Sequence, residues 1–337
     1  YALIGMRTIS GVYHHGVLPV VAFAIGWLIA EGSSDKQIRD GILALATGFG
    51  TYATLNMLVN IGNNRYRLID FWTGTYRAAT GSGALNTLPI SVAPYAVKFE
   101  KRLPVKIMFL ALFFATIQYM FMLGTRTQFA ILLLIVILAA LQFAYSEQGI
   151  AGVLKCIGIM AVISLIAFLL YHFNVLSIRD YILSTNLAAR YQRRASLENA
   201  DSFRFQSFWI GLRELIQYPM GGRASQVYRH NMWLDVGRVS GIIPFCLLLV
   251  YSIKNFANVT VIWKNTKILP SLRYLLLFLY IGAYVNCFVE PIWEGALNFF
   301  LALCVVDGMV SAMMRRLEND HTPEESVSDT SNLHTDL

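Results

Sequence analysis

His230 and Asn231 stand directly before an apolar helix in YRHNMWLDVGRVSGIIPF at 228–245. Near neutral pH an imidazole can accept a proton from a sugar hydroxyl, the minimum chemistry for moving a glycosyl group, and the adjacent carboxamide can orient the acceptor. A structural reading competes: a histidine at such a boundary also serves as an interfacial cap or a hydrogen-bonding post. Asp235 follows five residues later, a spacing that does not share the histidine's helical face, so no His/Asp pair is expected. Gly237 and Gly241 on the same segment would let a neighbouring helix approach closely.

Arginines supply the second kind of chemistry. Arg126 opens the long apolar run GTRTQFAILLLIVILAAL at 124–141, with no nearby acid in sequence. At a helix start the exposed N–H groups and the Thr125 or Thr127 hydroxyl would add donors for a phosphate oxygen; simple interfacial snorkelling is the alternative. Arg204 lies in FRFQSFWIGLRELIQYPMGG at 203–222, where Phe205, Phe208, Trp209, Leu212, Leu215 and Ile216 recur at helical spacing until Pro219 and the Gly221-Gly222 turn. Arg213 falls on another face of that helix. Arg190, Arg193 and Arg194 form a basic run that reads equally well as plain surface.

Glu290 and Glu294 bracket Pro-Ile-Trp at a predicted helix-hairpin tip, where they could line an acceptor cleft, or simply make an acidic turn. Asp307 lies inside the last apolar run, on the half away from these residues, so a part in the same chemistry is not expected. The sequence has no phosphate-binding Walker loop, no dinucleotide fingerprint, no DxD-like pair for a divalent metal and no serine elbow. Neither a soluble cofactor nor a bound metal is expected. The four cysteines sit in apolar runs without metal-ligand spacing and read as small hydrophobes.

These residues must be held by elements suited to lipid. Of 337 residues, 56% are hydrophobic and only 14% charged, whereas soluble domains carry about 25% charged residues. So few ionic groups cannot cover a soluble globule of this size. Apolar windows predict nine membrane helices, at roughly 12–30, 38–58, 84–99, 105–123, 127–146, 150–172, 236–256, 271–290 and 292–313. The third is short and is expected to be tilted, or broken near Pro89 and Pro94. Residues 173–235 form the one long hydrophilic segment, expected to be an external helical layer, and 316–337 a disordered polar cytoplasmic tail. Tyr1 opens where a loop is expected, which suggests further sequence upstream.

Charge sorts with side. Placed on this topology, all eight lysines border one face, which the positive-inside rule makes cytoplasmic. The opposite face carries fourteen arginines, among them Arg77, Arg126, Arg204, Arg223 and Arg229, and no lysine. Either these arginines pair with the acids of the external layer, such as Asp180, Glu214 and Asp235, or an external cavity uses the planar guanidinium to grip a polyanion.

In the order and spacing of TGTYRAATGSGALNTLPISVAPYAV at 73–97, GTRTQFAILLLIVILAAL, FRFQSFWIGLRELIQYPMGG and RHNMWLDVGRVSG at 229–241, the chain resembles the O-antigen ligase and O-antigen polymerase superfamily of bacterial membrane glycosyltransferases. The resemblance covers about residues 1–315. It implies an all-α polytopic, GT-C-like membrane fold, a single transmembrane catalytic domain over 1–315 with about twelve helices in a full-length member. It also implies an active site on the periplasmic face of the inner membrane.

Carried over from the family, Arg126, Arg204 and His230 are the expected catalytic residues, with Arg126, Arg204, Arg77 and Arg223 around the diphosphate and Asn231 and Glu290 toward the acceptor. The implied donor is a glycan on undecaprenyl diphosphate, and the acceptor a second glycan or lipid A core. The implied reaction is metal-independent and inverting. Membrane lipid, and a chain-length regulator in the case of a polymerase, are the further partners; nucleic acid is not. The segment from Arg204 to His230 is short for a lipopolysaccharide ligase, which leans toward a polymerase. The rival reading is a non-catalytic transporter or flippase for lipid-linked glycans, expected to scatter polar groups through its spans and to repeat its architecture internally.

Overall fold

The computed structural model describes residues 13–61, 68–77, 79–195, 200–224 and 227–319; the side chains of 77, 79–80, 193–195 and 200–204 lie outside the description. The predicted tail therefore falls outside it from residue 320 onward. The described residues are helical almost throughout, with one short hairpin of two strands among them.

A π-helical turn at Tyr13–Val17 leads into α1 (Leu18–Glu31), and α2 (Asp35–Val59) follows. The connection is fixed locally: the Ser34 hydroxyl accepts the Gln37 N–H while the Gln37 side chain accepts the Ser34 N–H, a reciprocal cap. The strands β1 (Leu68–Ile69) and β2 (Tyr76–Arg77) pair antiparallel, with the turn held by Asp70, which accepts the N–H groups of Trp72 and Thr73. Next come α3 (Ala79–Leu85), α4 (Thr87–Lys98), α5 (Leu103–Leu123) and α6 (Arg126–His172).

The third predicted span is thus two helices, and the break falls at Asn86 rather than at a proline. Pro89 sits in the first turn of α4, where its missing N–H costs nothing, and Pro94 is accommodated within the helix. Every residue from Thr87 to Ala96 is buried, so α4 is a short central helix sheathed by protein rather than a lipid-facing span.

The element α6 holds both the fifth and sixth predicted spans. Gly149 leaves helical geometry (φ 60°, ψ −142°), and a Cβ on Gly152 would meet the Ala144 carbonyl oxygen at 2.3 Å. Residues eight apart in a continuous helix are separated by about 12 Å, so the chain folds back there into two legs. The second leg returns toward the end from which the first began: after α7 (Ile178–Ser184), Asn186 donates to the Met122 carbonyl at 2.6 Å.

The hydrophilic segment carries α7, α8 (Asn186–Ala195) and α9 (Ala200–Gln217). Then follow α10 (Met232–Ser240), α11 (Ile242–Lys264), α12 (Pro270–Val289), the single turn α13 (Ile292–Gly295) and α14 (Leu297–Asn319). The seventh span was predicted at 236–256, but Gly241 (φ 96°) bends the chain between α10 and α11, and the Ile242 N–H is drawn to the Pro219 carbonyl at 2.8 Å. The span therefore starts later and runs to Lys264.

Among the described residues, seven helical elements are long and apolar enough to cross a membrane. Glycine sets the tightest crossing: Gly26 of α1 lies against the Val305 carbonyl of α14, and Gly308 against the Phe23 carbonyl, where a Cβ would sit 1.9 and 2.1 Å from oxygen. α12 runs through the centre, packed on α4, α6 and α11.

Candidate functional site: a polar cap over one end of the bundle

Asn231 begins α10 in extended conformation, and its Oδ1 accepts the Leu234 N–H at 3.0 Å, an N-cap. Its Nδ2 donates to the Phe288 carbonyl at 3.2 Å, which ties the start of α10 to the last turn of α12. His230 sits before it at φ 56°, in the left-handed region that non-glycine residues rarely occupy. The half-buried imidazole meets the Tyr228 ring edge-on, 4.9 Å between centroids. The turn is clamped from the other side: Asp235 Oδ1 accepts the Arg229 N–H at 2.6 Å. Asp235 thus acts on the backbone that carries His230, a role that spacing along a helical face does not reveal.

Around this turn, acids of the layer engage three arginines. Arg229 donates Nε and Nη2 to Glu214 of α9 at 3.0 and 2.7 Å. Arg223 lies 3.7 Å from the same carboxylate, its guanidinium 4.2 Å over the Tyr218 ring. Arg238, with a side chain only 1% exposed, donates to the Arg223 carbonyl at 2.6 Å and to Glu294, and its Nε stands 3.6 Å from Asp235. Burial pushes the Asp235 carboxyl up to about 6, the Glu294 charge adds to the rise, and the Arg229 N–H and Arg238 oppose it. Burial likewise raises Glu294, against the pull of Arg238. For Arg223, Arg229 and Arg238, pairing with the layer's own acids describes the geometry; Arg223, expected at a diphosphate, is held by Glu214 and Tyr218.

Arg126 differs. It is the first residue of α6, half-buried, with its guanidinium 5.9 Å from the Tyr191 ring. Among the described residues no carboxylate lies within ion-pair distance of it. Beside it, the Thr127 hydroxyl donates to the buried Glu290, and Gln128 donates to Asn286 Oδ1 at 3.3 Å. Asn286 in turn donates to Thr87 Oγ1 at 3.0 Å.

A short polar ladder therefore stitches the start of α6 to the end of α12. Since Asn231 grips the Phe288 carbonyl two residues before Glu290, His230, Asn231, Glu290 and Arg126 gather at one end of the bundle. His15 comes to the same end and contacts the Trp293 carbonyl at 3.2 Å.

Arg77 lies on β2, and Arg204 on α9 one turn before Phe208, whose ring is 5.9 Å from that of Phe288. The side chains of both lie outside the described residues. The sequence reading offers the Thr127 hydroxyl to a phosphate oxygen, whereas it donates to Glu290, and it did not find Asn286; both pair across more than 150 positions, beyond the reach of a local pattern. Among the described residues, no group of three His, Cys, Asp or Glu side chains is placed to hold a metal ion.

Fold and site define an all-α polytopic membrane protein whose bundle is capped at one end by a small, charge-rich helical layer. The chain matches no protein-family model, and no curated protein matches it.

Proposed function

We propose that the protein is a membrane glycosyltransferase that moves a glycan from undecaprenyl diphosphate onto a sugar hydroxyl at the periplasmic face of the bacterial inner membrane. One observation carries the reading. Arg126 stands at a helix start without a carboxylate partner among the described residues, at the same end of the bundle as His230, Asn231 and the buried Glu290, while Arg223, Arg229 and Arg238 are engaged by acids. A guanidinium so placed retains its donors for an anionic ligand.

In this reaction Arg126, with Arg204 and Arg77 as further candidates, neutralises the charge that develops on the departing diphosphate. His230 removes the proton of the acceptor hydroxyl, and Asn231 and Glu290 orient the acceptor. The hydroxyl oxygen bonds to the anomeric carbon as the carbon–oxygen bond to the diphosphate breaks. Direct displacement inverts the anomeric configuration, and the products are the extended glycan or glycolipid and undecaprenyl diphosphate.

The test uses purified protein in nanodiscs with an undecaprenyl-diphosphate-linked glycan and either a second lipid-linked repeat or lipid A core as acceptor. Transfer is expected in the wild type, undiminished by EDTA, and lost in folded His230→Ala. Normal turnover in that variant overturns the base assignment, and dependence on added Mg²⁺ overturns the metal-free mechanism. The acceptor that is consumed distinguishes polymerase from ligase.

A further inference from the structure

Asn86 joins α3 to α4, and its side chain caps neither. Its φ of −68° and ψ of −15° keep the trace helical through the joint, and its carboxamide accepts no N–H from the first turn of α4. Thr125, the residue before α6, likewise makes no side-chain cap on its own helix. Both are residue types that ordinarily cap. Here their polar atoms are buried instead: Asn86 is 0% and Thr125 3% exposed. Asn86 Nδ2 and Oδ1, Thr125 Oγ1 and the Oγ of the fully buried Ser82 have no hydrogen-bond partner among the described residues.

The three side chains converge. Ser82 and Asn86 are four apart on a helical trace and Gly83 and Asn86 three apart, so all three residues share one face. Against that face stands the start of α6: a Cβ on Gly83 would meet Thr125 Cγ2 at 2.7 Å and Gln128 Oε1 at 2.8 Å. Glycine at 83 thus lets α6 close on the joint. The nearby carbonyls are already engaged, that of Gly83 by the Asn86 N–H at 3.0 Å, that of Ala84 by Asn286 Nδ2 at 3.3 Å and that of Asn86 by the Ile90 N–H at 3.2 Å.

The mixture of donors and acceptors identifies the occupant. Buried polar groups in folded proteins are paired, either within the protein or with ordered water. A cation would serve the oxygens but set the Asn86 N–H groups against positive charge, where the starts of α4 and α6 already direct the positive ends of their dipoles. An anion would serve the N–H and hydroxyl donors but set Asn86 Oδ1 against negative charge, beside a helix start where the buried Glu290 already accepts from Thr127. Only a ligand that both donates and accepts suits every atom, and the enclosure limits it to a very small one.

We infer that the joint between α3 and α4 and the start of α6 together hold ordered water, bonded to Asn86, Ser82 and Thr125. A buried water makes about three hydrogen bonds, which these side chains supply. Water thereby becomes the inner support of the helix start that presents Arg126. The inference does not draw on the proposed function.

X-ray hydroxyl-radical footprinting of the full chain in nanodiscs tests it, because a bound water is ionised in place and oxidises side chains that bulk solvent does not reach. Pro89 and Ile90 are buried and stand one turn along from Asn86 on the same side. Peptide mass spectrometry should find them oxidised severalfold above Leu276, an equally buried residue of α12, and the excess should be lost in Asn86→Leu and in Thr125→Val. Both changes keep the shape of the side chain and delete its polar atoms. Stability supplies an independent sign: relief of a dry, unpaired carboxamide would raise the apparent Tm of Asn86→Leu, whereas loss of bonds to water lowers it.

Oxidation of Pro89 and Ile90 no greater than that of Leu276 overturns the inference, and so does a higher apparent Tm in Asn86→Leu. It is equally overturned if the wild type is stabilised by sodium over choline, or by chloride over gluconate, at equal ionic strength and Asn86→Leu is not, since an ion then holds the place. Should Asn86→Leu fail to fold, Thr125→Val and Ser82→Ala carry the same comparisons. No substrate takes part, so the result is independent of whether the protein transfers a glycan.

Discussion

Asp235→Asn should make the protein more stable at neutral pH. The Asp235 side chain is fully buried, and its carboxyl is raised from 3.8 to about 6, chiefly by burial. The folded state therefore holds this proton to a higher pH than the unfolded chain does. The contribution to stability is greatest below about pH 4, declines as pH rises towards 6, and is constant above. A rise of that size corresponds to about 3 kcal/mol disfavouring the ionised form.

Asparagine keeps the Oδ1 acceptor for the Arg229 N–H, and Arg238 keeps Glu294 and the Arg223 carbonyl. The attraction of Arg238 Nε, 3.6 Å from the carboxylate, is lost but is already counted in the net rise, so the variant should exceed wild type by roughly 2–3 kcal/mol at pH 7.5, a few degrees in apparent Tm. The gap should close on going to pH 4. Thermal unfolding of both proteins in the same detergent, followed by intrinsic fluorescence from pH 4 to 8, reads the difference directly. A variant less stable than wild type at pH 7.5, or a gap that does not change with pH, would refute the claim that burial dominates this carboxyl.

Asp235→Ala, which removes the acceptor as well, should fall about 1–3 kcal/mol below Asp235→Asn through the stranded Arg229 N–H, measurable in the same unfolding series. Asn231→Ala should cost about 1–2 kcal/mol, since it deletes both the cap on Leu234 and the tie to Phe288; Asn231→Asp retains the cap and should recover part of that loss. Arg126→Lys should reduce kcat/KM for the lipid-linked donor by about ten- to hundred-fold, because a point charge replaces a fork of donors, with the fold unchanged by circular dichroism. Gly308→Val should force α1 from α14, the Phe23 carbonyl being where the side chain would stand, and lower stability by about 1–3 kcal/mol; an unchanged apparent Tm would mean that the crossing is looser than described.

The helices that face lipid were legible because hydropathy and length are properties of a segment alone. The predicted spans at 105–123 and 271–290 meet α5 (Leu103–Leu123) and α12 (Pro270–Val289) within two residues. Where protein rather than lipid surrounds the chain, the same signal misleads: residues 84–99 read as a short, damaged span, and they form the end of α3 and then α4, in which every residue from Thr87 to Ala96 is buried. Around Gly149 the pattern gave two spans, 127–146 and 150–172, and α6 folds back there into two legs over those residues.

The site divides in the same way. That the arginines gather in one layer, that Asn231 caps a helix and that Arg126 opens one can all be read from neighbours in sequence, because caps and helix starts are local. Which arginines are neutralised cannot. Arg229 meets Glu214 across fifteen positions, Arg238 meets Glu294 across fifty-six, and Thr127 meets Glu290 across one hundred and sixty-three. By itself the sequence determined the solvent, since too few charges cover the chain for water and enough apolar residues recur for lipid. The tertiary structure alone decided which charges are spent and which remain, because ion pairing falls off within a few ångströms and the fold sets those distances.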